Sequence, residues 1–178
     1  MDRTLVLLRL GCLVFGALAG ILLPDKAIRQ FFPKPKEVGA QLMRLMISIA
    51  KTVVCCAVAV VTTPAPASIS ILYAGLGLLA AHILLQHRPA ELVLPVICTW
   101  LILFLPFTGV LACLGGGLLV LAADVPGVAG LAILVLGAPM ALLQFGAEGG
   151  LVLLGAAALL CTRQVLEWRG RRIGLYPG

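Results

Sequence analysis

Charge is scarce in this chain. Asp, Glu, Lys and Arg make up only 11% of its 178 residues, against about 25% in soluble domains. So little polar surface cannot coat a water-soluble globule, and that class is excluded first. Signatures of soluble enzymes are missing as well: there is no GxSxG, no HExxH, no Walker loop and no Rossmann glycine pattern. None of the six cysteines belongs to a CxxC pair or stands at metal spacing from either histidine. No metal centre and no cofactor are therefore expected, and the cysteines read as small, soft packing residues. Paired carboxylates inside apolar segments are absent too, which weighs against a transporter or channel.

What the chain has is apolar residues, 62% of the total, with a mean hydropathy of +1.16. They gather in runs of the length that crosses a hydrocarbon core, about 20 residues. Twenty glycines are scattered through these runs, and small residues let membrane helices approach closely. The N-terminal run is too long, and too closely followed by further apolar segments, for a secretory signal, and reads as a first span. The expected architecture is all-α: a single integral membrane domain over residues 1–178, a polytopic transmembrane helical bundle of about seven spans (5–7).

The spans read as about 4–23, 42–61, 68–85, 92–105, 108–122, 128–145 and 151–166. Pro24, Pro64, Pro66 and Pro89 punctuate the first three. No charge occurs over the 32 positions 92–123, and a single helix of that length would overshoot a core of about 30 Å by half. A break near Pro106 gives two short spans; one long tilted helix kinked there is the alternative. Gly137 and Pro139 interrupt the sixth span, and a turn is expected at 147–150, with Glu148 a solvated boundary marker.

Seven alternating spans sort the loops by charge. One side receives the basic loop 25–41, the segment 86–91, Asp124 and the C-terminal tail. The other receives the N-terminus, 62–68, the Pro106 turn and the Glu148 turn. Of the 13 Lys and Arg, only Arg3 and Arg9 fall on the second side. The positive-inside rule makes the first side cytoplasmic, with an external N-terminus and a cytoplasmic C-terminus. In this setting the net charge of +6 reflects loop retention and anionic lipid, not nucleic acid.

The residues that invite a functional reading are cations and histidines near the cytoplasmic face: Arg29, Lys34, Lys36, Arg44, Lys51, His82, His87 and Arg88. Arg44 and Lys51, seven apart, share a helix face. Arg44 reaches headgroups by snorkelling. Lys51 lies about two turns deeper and needs a partner or a wet cavity unless it too snorkels. His82 reads either as a hydrogen-bonded packing residue or as a substrate-positioning group.

The layout resembles the bacterial acyl-phosphate:glycerol-3-phosphate acyltransferase family (PlsY), small seven-span proteins with an external N-terminus. Ile28-Arg29 and Gly39-Ala40 match parts of that family's first cytoplasmic motif (DIR, then GSGNPGATN). Lys51 matches the lysine of DxxKG, and Ala81-His82 stands where GH closes the third span. The resemblance implies a location in the bacterial inner (plasma) membrane and a link to phospholipid biosynthesis. It also implies phosphate or headgroup contacts by Arg29, Lys34, Lys36, Lys51, His82 and Arg88, with Gly39 and Ala40 as backbone elements. Departures are as specific as matches. Ser, Asn and Thr of the first motif are gone, His87–Glu91 replaces the glycine-rich GGKG loop, and Asp124–Gly127 replaces the later RYVS-like motif. Glycine-rich amides and a lysine hold phosphate; Pro89, Glu91 and Asp124 cannot. The expectation is a catalytically degenerate relative, a lipid-embedded structural or binding subunit whose partners are membrane lipids and other membrane-protein subunits. The alternative is a divergent acyltransferase that makes lysophosphatidic acid from acyl phosphate and glycerol 3-phosphate.

Overall fold

A computed structural model describes residues 3–21, 38–64, 66–85, 90–123 and 126–172. Six helices account for nearly all of them: α1 (Arg3–Ile21), α2 (Val38–Thr62), α3 (Ala67–Ala80), α4 (Ala90–Phe104), α5 (Pro106–Ala123) and α6 (Pro126–Arg172). A π turn, Ala81–Leu85, prolongs α3. No strand occurs among the described residues.

Two reversals bear on the number of spans. Leu105 separates α4 from α5, and Cys113 Sγ of α5 reaches the carbonyl of Cys98 on α4 at 3.8 Å. In one kinked helix those residues would stand about 22 Å apart, so the run 92–123 folds back on itself as two short antiparallel helices. Gly109 is the contact that permits it, since a Cβ there would meet Leu101 O at 2.7 Å.

The second reversal lies within α6. Gly146 adopts φ 71°, ψ −166°, a conformation that only glycine enters cheaply. Beyond it the chain returns along its own first arm. A Cβ on Gly149 would lie 3.0 Å from Ala141 O, one on Gly150 3.1 Å from Leu142 Cβ, and Gly130 sits beside Leu160. Helix α6 is therefore an antiparallel hairpin with arms 126–145 and 147–172. The turn expected at 147–150 is confined to Gly146, and 147–150 are helical. Gly137 and Pro139 do not interrupt the first arm; Gly137 provides the space that Leu101 fills.

α1 and α3 run parallel and make the tightest seam. A Cβ on Gly16 would stand 2.1 Å from Ala74 O, one on Gly77 2.0 Å from Leu13 O, and one on Gly20 2.3 Å from Ala81 Cβ. Backbones this close gain dispersion that larger side chains would prevent. At the centre, Trp100 of α4 is fully buried. Its ring lies on the bare backbone of Gly75, and its Nε1–H donates to Ile71 O at 3.1 Å. Leu72, Leu79, Ile97, Leu101, Ile133, Leu134, Leu153 and Leu160 complete this core. The adjacent Cys55 and Cys56 enter different clusters, as neighbours on a helix must.

Outside the core the surface is apolar. Leu7, Val61, Phe107, Leu118, Leu143 and Leu151 are all exposed, an arrangement for lipid and not for water. Four stretches are long and apolar enough to cross a membrane: Arg3–Ile21, Gln41–Thr62, Ala67–Leu84 and Gly127–Leu166. The last of these contains both arms of the hairpin. Val93–Phe104 and Pro106–Leu119 are shorter apolar helices.

Candidate functional site

The helix directions carry Gly20, Lys51 and the π turn to one end of the bundle. Lys51 is 8% exposed, and its Nζ donates to Gly20 O at 2.5 Å. That carbonyl belongs to the last turn of α1. A cation there meets the negative end of the helix dipole. Lys51 thus caps α1. Beside it, Ser48 and Thr52 are buried, and Thr52 Oγ1 donates to Ser48 O at 2.8 Å.

His82 is fully buried in the π turn. Its Nδ1 lies 2.8 Å from Leu78 O. A carbonyl only accepts, so this bond places a proton on Nδ1. The Leu78 carbonyl is the one a regular α turn would offer to the backbone N–H of residue 82. The ring competes for it, and the helix widens to the π register at this point. Ala81 abuts Gly20, so Lys51 and the His82 turn converge on the same residue of α1.

Four of the sequence-predicted contacts, Arg29, Lys34, Lys36 and Arg88, lie outside the described residues, as does His87. Gly39 and Ala40 fall in the first turn of α2, with Gly39 exposed. They are therefore helical, not part of a loop, and the polar connection ends a few residues earlier than the sequence pattern predicts. No group of three or more His, Cys, Asp or Glu that could hold a metal ion occurs among the described residues.

A second polar cluster occupies the opposite end. Arg9 Nη2 donates to Glu148 Oε2 at 2.6 Å, and Tyr73 O–H donates to Glu148 Oε1 at 2.9 Å. This corrects the reading of Glu148 as a solvated marker: its carboxylate ties α1, α3 and the α6 hairpin together. A cavity of about 180 Å³ adjoins it, lined by Pro66, Ser68, Ile69, Leu72, Phe104, Phe145, Glu148 and Gly149. Phe104 and Phe145 stack with centroids 4.6 Å apart. The only sequence signal for this cluster was the alternation itself, which assigned the N-terminus, the 62–68 turn, the Pro106 turn and the Glu148 turn to one side.

The fold and the two polar clusters define a helical bundle with several helices fit to cross a membrane. Comparison with protein-family models, with curated proteins and with solved structures finds no match to this chain.

Proposed function

We propose that this protein is a seven-crossing bundle of the bacterial inner membrane, related to the acyl-phosphate:glycerol-3-phosphate acyltransferases but without their catalysis. In this reading it serves as a lipid-embedded structural or binding subunit of a membrane assembly, with its N-terminus external and its C-terminus cytoplasmic. The observation that carries the reading is the engagement of Lys51. The amine that would neutralise a phosphate in an active relative lies on Gly20 O, closing the end of a helix. His82 is likewise fully buried and bonded within its own helix. Loss of the glycine-rich and hydroxyl residues from the flanking motifs supports the same conclusion.

The test is an acyl-transfer assay on the purified chain with acyl phosphate and glycerol 3-phosphate, run beside a search for a stoichiometric co-purifying membrane protein. The reading expects a partner and no turnover above the protein-free rate. Turnover that collapses on His82→Ala would refute it.

A second reading, a divergent acyltransferase, is favoured by one observation. Lys51 and the His82 turn, the residues that match the family on two different spans, converge on Gly20. In that case Lys51 holds phosphate charge and His82 positions substrate or acts as base.

A further inference from the structure

The recess at the Glu148 end belongs to neither reading, and it has the composition of a small-ligand site. Its volume, about 180 Å³, slightly exceeds that of an engineered apolar cavity that admits benzene, about 150 Å³. Pro66 and, within α3, Ile69 and Leu72 line one side, and the stacked rings of Phe104 and Phe145 line the other. The polar groups are few: Ser68 and the Glu148 carboxylate. An apolar chamber with a small number of placed polar groups is the usual make-up of a ligand pocket.

Chemistry selects the ligand's head. A carboxylate only accepts hydrogen bonds and offers about four lone-pair sites. Arg9 and Tyr73 each supply one donor to Glu148, so acceptor capacity remains. The carboxylate is about one-third exposed and is one of the residues lining the cavity. The head that fits is a donor, and aromatic faces beside a carboxylate favour a positive one. A tail of one ring fills the chamber.

The geometry points to this recess as a binding site for small aralkyl amines, with the ring between α3 and the Phe104–Phe145 pair and the ammonium on Glu148. Arg9 competes with such a ligand for the same carboxylate. This gives a sign that a merely greasy pocket would not: Arg9→Gln tightens amine binding, because it removes a competing cation.

The experiment uses the full chain in nanodiscs and fluorine NMR of three probes: 2-(4-fluorophenyl)ethylamine, the corresponding alcohol, and 1-ethyl-4-fluorobenzene. Empty nanodiscs correct for partition into lipid. The amine saturates at one per chain, while the alcohol and the headless probe bind about tenfold or more weaker, as expected for loss of a charge-assisted bond. Ser68→Phe fills the chamber and abolishes saturable binding. If that variant does not fold, Glu148→Gln serves instead, weakening the amine about tenfold and leaving the headless probe unchanged. Arg9→Gln strengthens the amine severalfold. No saturable amine binding, equal affinity for all three probes, or saturable binding that survives both Ser68→Phe and Glu148→Gln would overturn the assignment.

Discussion

Replacing Gly16 by alanine adds one methyl group, yet it should cost more than almost any other single methyl in the chain. The ideal Cβ lies 2.1 Å from Ala74 O and 2.9 Å from Ala74 C. Both are backbone atoms of α3, so no side-chain rotation relieves the clash. Restoring an ordinary contact of about 3.5 Å requires α1 and α3 to part by more than 1 Å, and a gap of about that size already forfeits up to half of each dispersion well along the seam. Overpacking of this kind costs about 1–3 kcal/mol. Alanine's better helix propensity, worth up to about 1 kcal/mol, opposes it. Gly11 provides the internal control, because it lies on the same helix and nothing lies within 4 Å of its added Cβ. Gly11→Ala should be neutral or stabilising, which leaves the two variants about 2 kcal/mol apart on balance. Steric trapping in bicelles, which reads unfolding free energy without denaturant, is the assay. If Gly16→Ala and Gly11→Ala are indistinguishable, the parallel α1–α3 seam is wrong.

Three further outcomes follow from other contacts. Glu148→Gln removes the charge that holds Arg9 and weakens the tie from α1 to the α6 hairpin. A loss of about 1–2 kcal/mol is expected in the same assay, with Arg9→Gln and Glu148→Gln non-additive in a double-mutant cycle because they share one bond. Trp100→Phe gives up the bond to Ile71 O and leaves a void where the larger indole packed on Gly75, and should cost about 2–4 kcal/mol, read by steric trapping. Single cysteines placed in a cysteine-free background at Thr4 and at Gly178 should be labelled by impermeant maleimide from opposite faces of the membrane. Labelling from one face refutes an odd number of crossings.

The bundle's punctuation was legible in the sequence because it depends on local chemistry. Pro106 cannot extend a helix without losing a backbone bond, and the chain does reverse beside it. Gly137 and Pro139 misled for a related reason: a proline two residues after a glycine reads as a break, yet the helix runs through both, with Leu101 packed over Gly137. Lys51 and His82 stood out because polar side chains in apolar runs are costly wherever they fall. Their partners, Gly20 O and Leu78 O, are backbone atoms and carry no sequence label. The Arg9–Glu148 pair, 139 residues apart, was hidden for another reason. Each residue lies near a helix end, where a charge is unremarkable, and only the alternation of the spans brings the two to one face. Glycine roles were legible in kind but not in place: Gly116 is pressed by Ile133, whereas Gly115 and Gly117 on either side meet nothing.

In the proposed reading Lys51 secures the end of α1 and holds no substrate. Lys51→Met, measured in parallel for stability and for acyl transfer, tests it most directly. With the lysine gone α1 should lose its cap, so that unfolding in bicelles becomes easier by about 1–3 kcal/mol, and neither protein should turn over acyl phosphate with glycerol 3-phosphate. Turnover by the unsubstituted protein that vanishes in Lys51→Met at unchanged stability would contradict it.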